Sequence, residues 1–193
     1  MRLVVLLLAA GGSTRMRGGD KLTEPVDGMP LLRRQALAAL SVTPEVIVVL
    51  PPDRPARAAA LEGLAVLTVV AEDARDGMSA SLRKGLSTAK GDAAMVLPSD
   101  MPELGPAELA RMAGAFRETP DRILRGASGD TPGHPVIFPV DLWPALMQMT
   151  GDQGGREVIA ANRERLRLIL LPGHAALTDL DTPEDWAAWR ARP

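Results

Sequence analysis

Leu3 to Lys21 reads LVVLLLAAGGSTRMRGGDK, and this stretch decides the fold. Leu3 to Leu8 is an unbroken run of Val and Leu. A run that short, ended by small residues and glycine, fits a strand buried on both faces. Gly11, Gly12, Ser13 and Thr14 follow together. They cannot continue the strand, and they let the backbone pass close to whatever sits above its end. Arg15, Arg17 and Lys21 come next. A buried strand feeding a glycine-rich turn with cations beside it makes a cradle for phosphates, in which converging N–H groups and charged side chains face the ligand. Neither the Walker spacing G-x-x-x-x-G-K-[ST] nor the dinucleotide pattern G-x-G-x-x-G is present. The plainer alternative is an ordinary strand and turn with surface arginines.

Composition narrows the classes. A chain of 193 residues suits one domain with a full core. Its net charge of −2 argues against a nucleic-acid binder, which is usually strongly basic. With no cysteine, disulfides, zinc–thiolate sites and cysteine nucleophiles are excluded, and a reducing cytoplasm is the expected compartment. The first apolar run is too short to span a bilayer and lacks the basic flank of a secretory signal, so no membrane association is expected. Aromatic residues are only 3% of the chain and tyrosine is absent, which limits stacking surfaces.

Outward from the first turn, apolar runs and helical spacing alternate. Pro30 starts a helix carrying Leu31, Leu32, Gln35, Ala36, Ala39 and Leu40. Strands are expected at Glu45 to Leu50, Leu64 to Val70 and Ala93 to Leu97. Helices are expected at Pro55 to Leu61, from the turn Asp76-Gly77-Met78-Ser79 to about Ala89, and at Pro106 to Arg117. Such alternation gives an α/β fold: a mostly parallel sheet covered on both faces, in three Rossmann-like layers. After residue 118 the rhythm changes. Short strands at Arg122 to Arg125 and Pro135 to Phe138 flank an expected loop, Gly126 to Gly133. Two short helices, a strand at Leu166 to Leu171 and a helix at Thr182 to Arg190 complete the chain. The reading is a single domain. Residues 1–118 form the nucleotide-binding part, 119–175 a small acceptor-binding lobe, and 176–193 a C-terminal acidic motif and helix.

In an open α/β sheet, ligands bind beyond the carboxyl ends of the strands. Asp100 lies at such an end, in Pro98-Ser99-Asp100-Met101-Pro102. The flanking prolines fix the backbone and project the carboxylate. It could hold Mg2+, which takes one or two carboxylates and completes its shell with water and phosphate. It could equally be a turn or cap aspartate. Asp179-Leu180-Asp181-Thr182-Pro183-Glu184-Asp185 is a second acidic cluster. Its Thr182-Pro183 is a good helix start, with Glu184 and Asp185 at the positive end of the dipole.

These blocks together resemble the MobA-like NTP transferase family, closest to the molybdenum cofactor cytidylyltransferases. The family's L-A-A-G-x-[GS]-x-R-M-G-x-x-K stands here as Leu8-Ala9-Ala10-Gly11-Gly12-Ser13-Thr14-Arg15-Met16, with Arg17 extra before Gly18 and the lysine at Lys21. D-x-P stands as Asp100-Met101-Pro102, and D-[IL]-D-T-P-E-D as Asp179 to Asp185. Gly77 to Gly85 resembles G-x-x-x-S-[LI]-x-x-G, with Ser81 as its serine and a plain Ser79 or Ser81 helix cap as the alternative. Gly133-His134-Pro135-Val136-Ile137-Phe138 and Gly151-Asp152-Gln153-Gly154-Gly155-Arg156 resemble two later segments.

The resemblance implies a nucleotidyltransferase that moves a nucleoside monophosphate to a phosphomonoester and releases pyrophosphate. It implies nucleotide contacts from Leu8, Ala9, Ala10, Gly11, Gly12, Ser13, Arg15, Lys21, Ser81 and Asp100. Arg15, Lys21 and Asp100 are the implied catalytic residues, and Asp100 and Asp181 the implied Mg2+ ligands. Gly133, His134, Pro135 and Asp152 are the implied acceptor contacts. Ala10 resembles the cytidylyl side of the family, so CTP is the expected donor, with a phosphorylated pterin as acceptor and a molybdoenzyme subunit as partner. The rivals are a guanylyltransferase or sugar-1-phosphate nucleotidyltransferase on the same fold, and a cofactor-delivery chaperone without turnover.

Overall fold

The computed structural model describes residues 1–73, 77–151 and 155–192. Its centre is β1 (Leu3–Leu8), paired in parallel with β4 (Val46–Leu50) on one side and β6 (Ala93–Pro98) on the other. β5 (Leu67–Val70) extends the sheet beyond β4, also in parallel. The chain thus builds outward on one side of β1, then returns to the other. That reversal beside β1 opens the crevice in which such sheets bind ligands. β2 (Pro25–Val26) and β3 (Met29–Pro30) form a separate small hairpin. Its turn residues Asp27 and Gly28 take positive φ, which suits a two-residue hairpin turn.

The alternation of side chains along β1 explains the layers. Leu3, Val5 and Leu7 feed one core, and Val4 and Leu6 feed the other. The first core is completed by α1 (Leu31–Leu40), α4 (Pro106–Glu118) and Trp186 of α7 (Pro183–Arg190). The second is completed by α3 (Met78–Thr88), α5 (Trp143–Leu146) and α6 (Arg156–Ala161). A strand that must serve two cores carries apolar residues at every position, which is why β1 and β6 read as continuous hydrophobic runs. Gly85 lets α3 lie close on the sheet, because a Cβ there would meet Leu6 and Val49 at 3.3 Å.

The expected loop at Gly126 to Gly133 is instead the tip of a long hairpin. β7 (Ile123–Ser128) and β8 (Thr131–Pro139) pair antiparallel, with an irregular register between Arg125 and Ala127. β8 also pairs antiparallel with β6, and β9 (Leu166–Leu170) runs parallel to β7. The sheet order is β5-β4-β1-β6-β8-β7-β9, in which β8 alone runs against its neighbours. The segment after residue 118 therefore contributes strands that extend the same sheet. Trp186 and Trp189 meet edge to face at 6.1 Å. Among the described residues no helix is long and apolar enough to cross a membrane.

Candidate active site

A cavity of about 810 Å³ opens beyond the carboxyl ends of β1, β4 and β6. The glycine-rich loop forms one wall. Ser13 and Arg17 adopt the left-handed conformation, φ 50° each, on either side of a single 3-10 turn, Thr14–Met16. Gly11 needs no left-handed backbone, and a Cβ there would meet nothing within 4 Å. Open space in front of Gly11 is therefore what a ligand would use.

Asp100 is presented by the end of β6. The Ser99 hydroxyl and N–H donate to the Leu8 carbonyl at 2.7 and 3.2 Å, which locks the ends of β6 and β1 together. The Leu180 N–H donates to the Asp100 carbonyl at 3.1 Å and brings the C-terminal acidic cluster alongside. Thr182 caps α7: its hydroxyl accepts from the Asp185 N–H at 3.1 Å, and Asp185 accepts from the Thr182 N–H at 2.8 Å. That reciprocal cap leaves the Asp181 carboxylate free to face the cavity.

Four of the expected residues converge. Lys21 Nζ donates to Asp100 Oδ2 at 2.5 Å and to Asp181 Oδ1 at 2.6 Å. Arg15 Nη2 lies 2.7 Å from Asp181 Oδ2. Burial pulls the Lys21 pKa down, but Asp100 and Asp181 outweigh it, and the amine sits above its ordinary value. Lys21 is thus a fixed cation at neutral pH. Asp179 also lines the cavity, and burial, then Asp100, pushes its carboxyl up. Negative charge is in excess here even with Lys21 in place. Two carboxylates aimed at one cation position are a hard-oxygen donor set that suits Mg2+, which fills its remaining positions with water and phosphate.

Leu8, Ala10, Gly12 and Ser13 line the same cavity, and so does Ser81 at the start of α3. Ala9 is buried at the end of β1. Neither Ser79 nor Ser81 caps α3: the cap residue is Gly77, φ 104°, with no side-chain bond. Ser79 is fully buried, and among the described residues its hydroxyl has no partner.

Gly133, His134 and Pro135, the expected acceptor contacts, lie on β8, outside the lining of this cavity. Packing alone accounts for Gly133, since a Cβ there would stand 1.9 Å from the Ala176 carbonyl oxygen. His134 has a buried Nδ1 with no partner among the described residues. Burial, then the charge of Arg125, lowers its pKa to about 4, so the ring is neutral. Asp152 lies outside the described residues.

The sequence gives no cue to two buried charges behind the loop. Asp20 and Arg57 form an ion pair at 2.8 Å, with the Arg57 side chain at 0% exposure. An arginine in the alanine-rich helix α2 (Pro55–Ala60) carries no motif, so only its burial singles it out.

Comparison with known proteins agrees with this geometry. Residues 5–166 match the MobA-like NTP transferase domain. The chain is 30% identical over 194 residues to a probable molybdenum cofactor guanylyltransferase of Natronomonas pharaonis, covering 97% of this chain and 96% of that one. It is 31% identical over 187 residues to the molybdenum cofactor guanylyltransferase of Pseudomonas aeruginosa PAO1, covering 93% and 90%. Rv0371c from Mycobacterium tuberculosis H37Rv superposes with a TM-score of 0.83 at 26% identity, over 97% and 96% of the two chains. A glycine-rich loop, its cations, a carboxylate after a strand end and another before a helix start thus meet in one site, and the chain belongs to the MobA-like NTP transferase family as a nucleotidyltransferase.

Proposed function

We propose that this enzyme transfers a nucleoside monophosphate from a nucleoside triphosphate to the phosphomonoester of a molybdopterin-type acceptor. The observation that carries the reading is the meeting of Arg15, Lys21, Asp100 and Asp181 at one end of the cavity. An acceptor phosphate oxygen attacks the α-phosphorus in line, the bond to the β-phosphate oxygen breaks, and pyrophosphate leaves. A phosphate dianion is already nucleophilic near neutral pH, so no side chain has to remove a proton. Positioning and charge stabilisation carry the chemistry. Lys21 and Arg15 are placed to neutralise the charge that builds on the departing pyrophosphate. Asp100 and Asp181 would hold Mg2+, which when bound screens the phosphate charges. In the free protein Lys21 occupies the space between these carboxylates, so it would exchange partners as nucleotide enters.

GTP is the donor supported by the relatives that span the chain, since both are named guanylyltransferases. CTP is the second reading, favoured by Ala10, whose side chain lines the cavity where the family's cytidylyl members resemble this sequence. The purified protein with Mg2+, molybdopterin and each triphosphate in turn, read as pyrophosphate release, decides. Turnover with GTP above CTP is expected, and the reverse preference selects the second reading. No pyrophosphate from any pair would overturn transfer and leave a delivery chaperone.

A further inference from the structure

Arg57 has no exposed surface, and the partners of its guanidinium all lie between the end of β1 and Lys21. Nη1 donates to the Ala9 carbonyl at 2.6 Å, where the strand gives way to the loop. Nη2 donates to Ser13 Oγ at 3.0 Å, in the middle of the loop. Nε and Nη2 donate to the two carboxylate oxygens of Asp20 at 2.8 and 2.9 Å, one residue before Lys21. Asp20 in turn accepts from Ser13 Oγ at 3.1 Å and from the Leu22 N–H at 3.1 Å. Burial pushes the Asp20 carboxyl up, but Arg57 and the Leu22 N–H outweigh it and hold it below the usual range.

Other contacts also hold the loop: Arg54 Nη2 donates to the Gly12 carbonyl at 2.8 Å, and Met16 is buried in the first core. The loop's left-handed residues Ser13, Arg17 and Gly18 interrupt regular structure, and its regular part is a single 3-10 turn. A planar fork that ties the start, middle and end of such a loop sets the direction in which the next residue leaves. The next residue is Lys21. Arg57 itself does not line the cavity, so it acts through the loop.

We propose that Arg57 is a positioning residue for nucleotidyl transfer, an inference that rests on the nucleotidyltransferase reading above. Its clamp on Ala9, Ser13 and Asp20 holds the loop in shape, so that Lys21 stands opposite Asp100 and Asp181 before substrate arrives. Lysine at this position keeps the charge but cannot reach three partners at once.

Two variants test this. Arg57→Lys removes the fork, and the double change Arg57→Met with Asp20→Leu leaves no buried charge unpaired, so folding is kept. Hydrogen exchange of residues 11–21 in the free protein reads the clamp, because local opening raises exchange there alone. Exchange is expected to rise in the loop in both variants while β1 and β6 stay protected. The kcat should fall about tenfold or more while KM for the triphosphate moves less than about threefold, the pattern of an interaction made chiefly in the transition state. Unchanged loop exchange in both folded variants overturns the clamp. A loosened loop with unchanged kcat overturns its part in the reaction. A parent protein inactive with every triphosphate strikes the proposed transfer instead, and loop exchange then decides the clamp alone.

Discussion

Gly11 and Asp100 carry the sharpest single-residue expectations. A methyl group on Gly11 would strike no protein atom and meet no backbone conflict. Gly11→Ala should therefore fold as well as the parent, or gain up to about 1 kcal/mol from a less flexible unfolded chain. It should nonetheless weaken triphosphate binding, because the methyl group occupies the cavity. Calorimetric titration with a nucleoside triphosphate and Mg2+, beside a melting curve, separates the two effects; unchanged affinity would remove Gly11 from the phosphate cradle. Asp100→Asn keeps the shape and loses the anion. Turnover should fall by about 10²–10³, the loss seen when an electrostatic stabiliser is removed. Activity within about threefold of the parent would take Asp100 out of the site. Asp100→Ala and Asp181→Ala should each weaken Mg2+ binding, and their effects should couple by about 0.5–3 kcal/mol because both side chains face one cation position. Strict additivity would leave Asp181 as a structural residue.

The glycine-rich loop and α7 meet as elements through several ion pairs, and these pairs are not equivalent. Arg17, the residue inserted relative to the family pattern, reaches Glu184 on α7 at 2.5 Å with side chains 73% and 62% exposed. Lys21 joins the two carboxylates with only 13% of its side chain exposed. A pair as open as Arg17 with Glu184 is screened by solvent and contributes on the order of 0.2–1 kcal/mol. Arg17→Ala should thus leave turnover near the parent value, whereas Lys21→Ala should reduce it by about 10²–10³. Steady-state kinetics of the two variants compares them, and a larger loss in Arg17→Ala would reverse the register assigned to the loop. The sequence reads β7 and β8 shorter than they are, with residues 126–133 as a loop between them, for a related local reason. Pro135, at the start of the expected strand, and Pro132 before it argue against a longer strand, since proline donates no ladder bond. Both fall where β8 pairs only with β7, beyond its last partner on β6 at Val136 and Val96, and beside the irregular register at Arg125 to Ala127. Proline is tolerated in just such places.

Across the whole molecule, His134 ties folding stability to pH. Arg125 on β7, Arg156 on α6 and Asp100 after β6 are the charges that act on its ring. Burial and the arginines lower its pKa from 6.5 to about 4, although Asp100 opposes them. Unfolded chains bind the proton near pH 6.5 and the folded protein only near 4, so the unfolded state holds more protons between these values. Stability should therefore rise with pH across this window and fall as pH drops through it, by roughly 3 kcal/mol in total. Denaturant midpoints at pH 7 and pH 5 measure the change. His134→Gln should flatten the profile, and an equally steep profile in that variant would place the titration elsewhere. Asp20 and Asp185, both held below the usual carboxylate range, contribute only at lower pH.

The sequence by itself determined the layers, the order of the elements and the glycine-rich loop. These are local matters: a strand buried on both faces must be apolar throughout, and a phosphate cradle must be glycine-rich where the ligand approaches. It also pointed to Arg15, Lys21, Asp100 and Asp181 through their places beside strand ends and helix starts. Only the tertiary structure decided which of them meet. Lys21 and Asp181 stand 160 residues apart in the chain and 2.6 Å apart in space. What joins them is the placing of β1 beside β6 and one N–H from Leu180 to the Asp100 carbonyl. Arg57 was illegible for the same reason. Its helix position carries no periodic or motif signal, and its meaning comes from burial against a loop that begins nearly 50 residues earlier, at Ala9. Local pattern is written in the spacing of neighbours, whereas a site is written in contacts that exist only once the sheet has closed.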